Sequence, residues 1–157
     1  MPRRTEETIE HKRLKDDIRG IAKICGFSFD SEIALNFSGT KDTSGEYLNE
    51  RSIDVAMYGK NRGKKFMFIF ECKGGKNFDG INKEVSSWES DIKKINNNKA
   101  KVISSDDNRI KDSDFKKLDE VKVCYVFGIN FDNEKYKMNK TILYKRGFLA
   151  WDNDATI

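Results

Sequence analysis

The chain has only one histidine, His11, and only three cysteines, Cys25, Cys72 and Cys124, none of them spaced as a CxxC pair. Structural zinc needs Cys and His clusters at short spacing, and catalytic zinc sites are commonly built on several histidines, so both are excluded. Three scattered cysteines with apolar neighbours also make a disulfide framework improbable; they are expected as reduced core residues in a cytoplasmic protein. No apolar run approaches the roughly 18–20 residues that cross a bilayer. The opening stretch from Met1 to Glu7 lacks the apolar segment of a signal peptide. Internal repeats, low-complexity tracts and an aromatic-plus-basic RNA-binding signature are all missing. Nor is charge of one sign in large excess: 30 Lys and Arg against 26 Asp and Glu leave +4, which suits nucleic acid without demanding it.

What is present fits one small domain. Of 157 residues, 37% are hydrophobic and 36% charged, so the core must be compact. The most informative stretch runs from Arg51 to Lys73. An apolar run from Ser52 to Tyr58 carries Asp54. A second, from Lys65 to Lys73, ends in Glu71-Cys72-Lys73, and the turn formers Gly59 to Lys64 lie between them. Folding the two runs back on that turn brings Asp54 close to Glu71. Strand side chains alternate, so Glu71 and Lys73 share a face and Cys72 takes the other. Two carboxylates and an ammonium then meet at the end of an apolar hairpin. Hard divalent cations bind through one or two carboxylates while keeping waters and substrate phosphate. Such an ion acidifies a bound water, and a nearby lysine can orient that water and balance the anionic transition state.

Asp54, followed after sixteen residues by Glu71-x-Lys73 at a strand end, resembles the PD-(D/E)xK motif of the restriction-endonuclease-like nucleases. The proline that precedes the first acid in that motif is replaced by Ile53. Glu-x-Lys recurs at Glu10-x-Lys12 and Glu120-x-Lys122, but neither follows a long apolar run. The resemblance implies an α/β fold with an αβββαβ core and a central mixed sheet flanked by helices. It also implies a Mg²⁺- or Mn²⁺-dependent nuclease, DNA being the expected substrate, of a restriction, defence or repair type. Asp54, Glu71 and Lys73 are its expected catalytic residues. The metal is assigned to Asp54, Glu71 and the backbone carbonyl of Cys72, with a helix-borne acid joining them. Gly74 and Gly75 would let a phosphate backbone approach, and Lys76 and Lys83 would contact it.

Periodicity supplies the remaining elements. A helix is expected from about Thr5 to Cys25, with Leu14, Ile18, Ile21 and Cys25 in one stripe and Gly26 as its stop. Glu10 projects into that stripe, where an uncompensated charge is costly, so Glu10 is the choice for the helix-borne acid, with Glu7 second. Helix-dipole stabilisation of two acids in a frayed first turn is the competing account. A strand is expected from Ser31 to Phe37, then a Gly-, Ser- and Thr-rich loop from Ser38 to Asn49, and a second helix from about Phe78 to Ile95. That helix carries Ile81, Val85, Trp88, Ile92 and Ile95 at helical spacing, with Lys83, Lys93 and Lys94 on or near it. A poorly periodic region, Lys99 to Asp119, follows, with a short helix expected near Asp114 to Leu118. A buried strand is expected from Val121 to Phe127 and another strand from Lys140 to Tyr144, ahead of an apolar cluster from Phe148 to Trp151. Two other classes compete with the nuclease: a nucleic-acid-binding module of the same fold with a decayed site, and an interaction domain whose hairpin charges are incidental. A homodimer and further domains in a longer chain are both open expectations.

Overall fold

The computed structural model describes residues 9–37, 43–44, 50–74, 78–97, 99–111, 113–130 and 133–152. Its elements in chain order are α1 (Ile9–Cys25), β1 (Ser28–Asn36), β2 (Glu50–Asn61), β3 (Lys64–Lys73), α2 (Ile81–Asn97), β4 (Lys101–Ser104), β5 (Lys122–Ile129), α3 (Tyr136–Lys145) and β6 (Leu149–Asp152). The strands form one six-stranded mixed sheet in the order β4-β1-β2-β3-β5-β6. β1, β2 and β3 make an antiparallel meander, and β4 pairs antiparallel with the outer side of β1. β5 runs parallel to β3, and β6 parallel to β5. Parallel neighbours need a crossover connection, and α2 and α3 occupy those two connections.

The turn between β2 and β3 is two residues long, Arg62 and Gly63, both at positive φ (52° and 79°). That geometry matches the right-handed twist of the flanking strands, and it locks the register by which Val55 faces Phe70. Asp54 is therefore the next position after the last paired one, at the level of Glu71.

Each face of the sheet is covered. On one side α1 buries Leu14, Ile18 and Ala22 against Phe29, Val55, Phe70, Cys72 and Val126. On the other, Ile81, Val85, Trp88 and Ile95 of α2 and Leu143 of α3 pack over Ile33, Leu35, Ala56, Met67, Ile69 and Phe127. The stripe of α1 thus runs through Ala22 rather than Ile21, and Cys25 is exposed, not a core residue. The three cysteines form no disulfide among the described residues, with Cys72 buried and Cys124 half-buried.

Two further expectations are corrected. Lys140–Tyr144 is not a strand but lies within α3, where Asn139 and Leu143, four residues apart, are the buried positions. The poorly periodic region contains β4, a four-residue strand whose one buried residue is Val102, and its short helix is a 3-10 turn at Leu118–Glu120. The start of the first helix before Ile9, including Glu7, lies outside the described residues, as does nearly all of the loop from Ser38 to Asn49.

The stretch from Ser105 to Ile110 is fastened to β1 by Asp30, whose residue is fully buried. Its carboxylate accepts from the backbone N–H groups of Ser31, Asp107, Arg109 and Ile110 and from the Ser105 hydroxyl. A buried carboxylate is tolerated where hydrogen bonds replace its water, so Asp30 is accounted for as a structural clasp.

Candidate active site

The sheet is irregular where Asp54 sits. Val55 belongs to the core on the α1 side and Ile53, two residues earlier, to the core on the α2 side, so the strict alternation of β2 breaks between them. On β1 the pairing runs Ser31↔Val55 and then Ile33↔Ile53. The residue skipped, Glu32, adopts φ 49°, an uncommon state for a side chain other than glycine. Lys15 of α1 holds the Glu32 carboxylate at 2.7 Å. Backbone in sparsely populated regions persists where the surroundings over-determine it, and such residues gather at functional sites.

Asp54 is fixed from two directions. The backbone N–H of Cys72 donates to its Oδ2 at 2.7 Å, and Nε2 of His11, on α1, lies 3.4 Å from the same oxygen. The end of β3 also presses on α1. A Cβ at Gly74 would lie 2.7 Å from Cβ of Glu10 and 3.0 Å from the His11 nitrogen, so glycine permits a backbone approach that any side chain would obstruct. This contact places half-buried Glu10 beside the strand end.

Glu71 and Lys73 occupy the face toward α2. Lys73 Nζ lies 3.4 Å from Glu71 Oε1 and 3.3 Å from Oε1 of Glu84, in the first turn of α2. Burial, and next the nearby Asp54 carboxylate, push the Glu71 carboxyl up to about 7, with Glu84 adding to the rise and Lys73 and Arg51 opposing it. The side chain of Glu71 is only 13% exposed. It borders a small void lined by Ile69, Trp88, Phe127 and Phe148, and among the described residues the buried Trp88 Nε1 has no hydrogen-bond partner. For Lys73, burial works to lower the ammonium, but Glu71 and Glu84, including a hydrogen bond to Glu84, outweigh it and the net shift is upward. Its acidic neighbours therefore favour Lys73 as a charged donor.

Arg51 of β2 completes the wall. Its guanidinium stacks 4.0 Å from the Trp88 ring centroid and bonds Ser87 Oγ and Asp91 Oδ2, each at 2.7 Å. Glu84, Ser87, Trp88 and Asp91 follow the i, i+3, i+4, i+7 spacing of one helix face.

Of the residues expected from the sequence, Asp54, Glu71, Cys72, Lys73 and Gly74 lie together where the β2–β3 pairing ends, with Glu10 alongside. Lys83 is an exposed residue at the start of α2. Gly75 and Lys76 lie outside the described residues. His11, Glu84 and Arg51 are neighbours of the site that the hairpin motif does not contain. His11 could have been found, since it sits three residues ahead of Leu14 on the Leu14–Ile18–Ala22 stripe.

The donor set suits a hard divalent cation in kind: two carboxylates, one buried and destabilised in its charged form, at a strand end. Among the described residues, no three His, Cys, Asp or Glu side chains are gathered closely enough to hold a metal ion by themselves. A cation here would rely on two carboxylates, a backbone carbonyl, water and phosphate, as Mg²⁺ sites commonly do. No family model, curated protein or solved structure matches this chain. Among the described residues, no helix is long and apolar enough to cross a membrane.

Proposed function

We propose that this chain is a divalent-cation-dependent nuclease of the PD-(D/E)xK, restriction-endonuclease-like kind, hydrolysing phosphodiester bonds in DNA. The observation that carries the reading is the meeting of Asp54, Glu71 and Lys73 at one end of the β2–β3 hairpin, with the Glu71 carboxyl pushed up to about 7 by burial and by Asp54. Strand packing alone has no use for a buried acid beside a second acid; a cation site has. The order of elements supports the same reading. A helix precedes an antiparallel three-stranded meander, and a crossover helix then leads to a strand parallel to the third. That is the αβββαβ order expected of these nucleases, with β4 inserted before the last strand and α3–β6 added after it.

In this reading Asp54, Glu71 and the backbone carbonyl of Cys72 would hold Mg²⁺ or Mn²⁺. When bound there, such an ion would supply an acidified water and charge neutralisation at the scissile phosphate. Lys73, kept charged by its acidic neighbours, donates hydrogen bonds to the attacking water and to the phosphoryl oxygens. Negative charge on those oxygens grows as the water oxygen bonds to phosphorus and the bond to the leaving oxygen breaks, so an ammonium there binds the transition state more tightly than the substrate. Asp54 keeps its orientation through the Cys72 N–H and His11. Gly74 leaves room for α1 to bring the backbone and Cβ of Glu10 against the end of β3.

Incubation with linear, circular, branched and single-stranded DNA and with RNA, with and without Mg²⁺, tests the proposal. Mg²⁺-dependent cleavage of DNA that Asp54→Asn abolishes is the expected outcome. Absence of cleavage of every substrate, with both Mg²⁺ and Mn²⁺, would overturn it.

A further inference from the structure

We propose that Glu84, on α2, is a positioning residue for the reaction: it holds the Lys73 ammonium beside Glu71, and so couples the start of α2 to the chemistry at the end of β3. The proposal rests on the nuclease reading and goes beyond it, since the motif Glu71-x-Lys73 contains nothing from α2.

The geometry is a bracket. Lys73 Nζ has carboxylate oxygens at 3.4 Å from Glu71 and 3.3 Å from Glu84, one from its own strand and one from the helix packed over that face. Lys73 has four rotatable side-chain bonds, and a lone lysine at a strand end would sample many positions. One carboxylate two residues away on the same strand limits that range only partly. A second, projecting from a helix anchored through Ile81, Val85 and Trp88, all buried, gives the ammonium an anchor on a separate element. The side chains of Lys73 and Glu84 are 25% and 31% exposed, and Glu71 is 13% exposed, so the bracket is set in from solvent yet open to a substrate.

An acid in a first helical turn is also favoured by the helix dipole, and that alone would explain a glutamate at this position. It does not explain why this one faces Lys73. The same helix face continues with Ser87, Trp88 and Asp91, which hold Arg51 of β2. Among the described residues, Lys73 and Arg51 at the hairpin's end are therefore both gripped by α2, Lys73 by Glu84 and Arg51 one and two turns further along. Because Glu71 already opposes Asp54, a rigidly placed Lys73 also keeps a positive charge where the two acids are closest to needing one. A free lysine would supply it only part of the time. Electrostatic catalysis depends on that placement being made before the reaction starts.

Two measurements decide it. In the first, ammonium resonances of ¹⁵N-lysine-labelled protein are recorded without metal or nucleic acid, Lys73 being assigned by its loss in Lys73→Ala. Held by two carboxylates, the Lys73 ammonium should give a slowly exchanging signal that Glu84→Gln removes or broadens. In the second, single-turnover cleavage is measured for wild type, Glu84→Gln, Lys73→Ala and the double variant. Glu84→Gln should slow the chemical step by roughly 10-fold with nucleic-acid and Mn²⁺ affinities unchanged. The double variant should be no slower than Lys73→Ala, because a residue acting through Lys73 has nothing left to position. An unaltered Lys73 signal, independent and multiplicative rate losses, or a fall in Mn²⁺ affinity in Glu84→Gln would each overturn the proposal. If the wild type cleaves nothing, the nuclease reading fails and this role with it, while the ammonium spectrum separately reports whether the bracket exists. Gln matches Glu in size on a part-exposed first turn, and unchanged melting of Glu84→Gln confirms that the comparison is between folded proteins.

Discussion

Replacing Glu71 with glutamine should stabilise the metal-free protein, and do so only above mildly acidic pH. Burial and the Asp54 carboxylate raise the Glu71 carboxyl from 4.5 to about 7. A rise of that size corresponds to roughly 3 kcal/mol at about 1.4 kcal/mol per pH unit, an upper figure because relaxation and water entry reduce it. Between pH 4.5 and 7 the folded chain keeps a proton that the unfolded chain has released, so stability falls as pH rises through this window. Below it the penalty is absent, and above about pH 7 it is complete. Glutamine carries no charge at any pH and escapes the penalty. Urea unfolding in the presence of a chelator, at intervals from pH 4.5 to 8.5, should show wild type and Glu71→Gln nearly equal at the acidic end. They should diverge until the variant leads by about 1–3 kcal/mol. Saturating Mg²⁺ should reverse the order at pH 8, since the cation stabilises the carboxylate of the wild type. Parallel pH profiles for the two proteins would refute the reasoning, because they would mean that Glu71 ionises as freely folded as unfolded.

Gly74→Ala should cost about 1–3 kcal/mol, since the new methyl would lie 2.7 Å from the Cβ of Glu10 and 3.0 Å from the His11 backbone nitrogen. It should also weaken Mn²⁺ binding in calorimetry although no candidate ligand is removed. Asp30→Ala should lower stability by more than about 3 kcal/mol, because two buried and two part-buried N–H groups lose their acceptor together; chemical denaturation measures this directly. Asp54→Asn should abolish divalent-ion binding while the far-ultraviolet dichroism stays native, and unchanged Mn²⁺ affinity would remove Asp54 from the site.

The hairpin was legible because its signals are local. Two apolar runs and a glycine-bearing turn set the register, and the register alone puts Asp54 level with Glu71. The helices α1 and α2 were legible from period, although α1 buries Ala22 where the larger Ile21 and Cys25 drew the eye. The run Lys140 to Tyr144 misled because Thr141, Ile142 and Tyr144 favour strands in isolation. The fully buried positions of α3 are instead Asn139 and Leu143, one helical turn apart, and packing against the sheet decides the outcome. β4 could not be read, since a four-residue strand with one buried side chain owes its conformation to pairing with β1. The same holds for the polar contacts. Asp30 meets residues 75 to 80 positions away, and Glu84 reaches Lys73 only once α2 lies across the sheet. Periodicity tells which residues of a helix face inward but not which strand end they meet.

The central claim is that the end of the β2–β3 hairpin performs phosphodiester hydrolysis, and single-turnover cleavage of DNA in Mg²⁺ by wild type and Lys73→Ala tests it most directly. The wild type should cleave. The variant should bind DNA and Mn²⁺ almost as tightly yet cleave roughly 10²–10³-fold more slowly, the usual effect of removing one preorganised electrostatic group. Cleavage by Lys73→Ala at the wild-type rate would contradict the account and leave Glu71-Cys72-Lys73 a charged strand end.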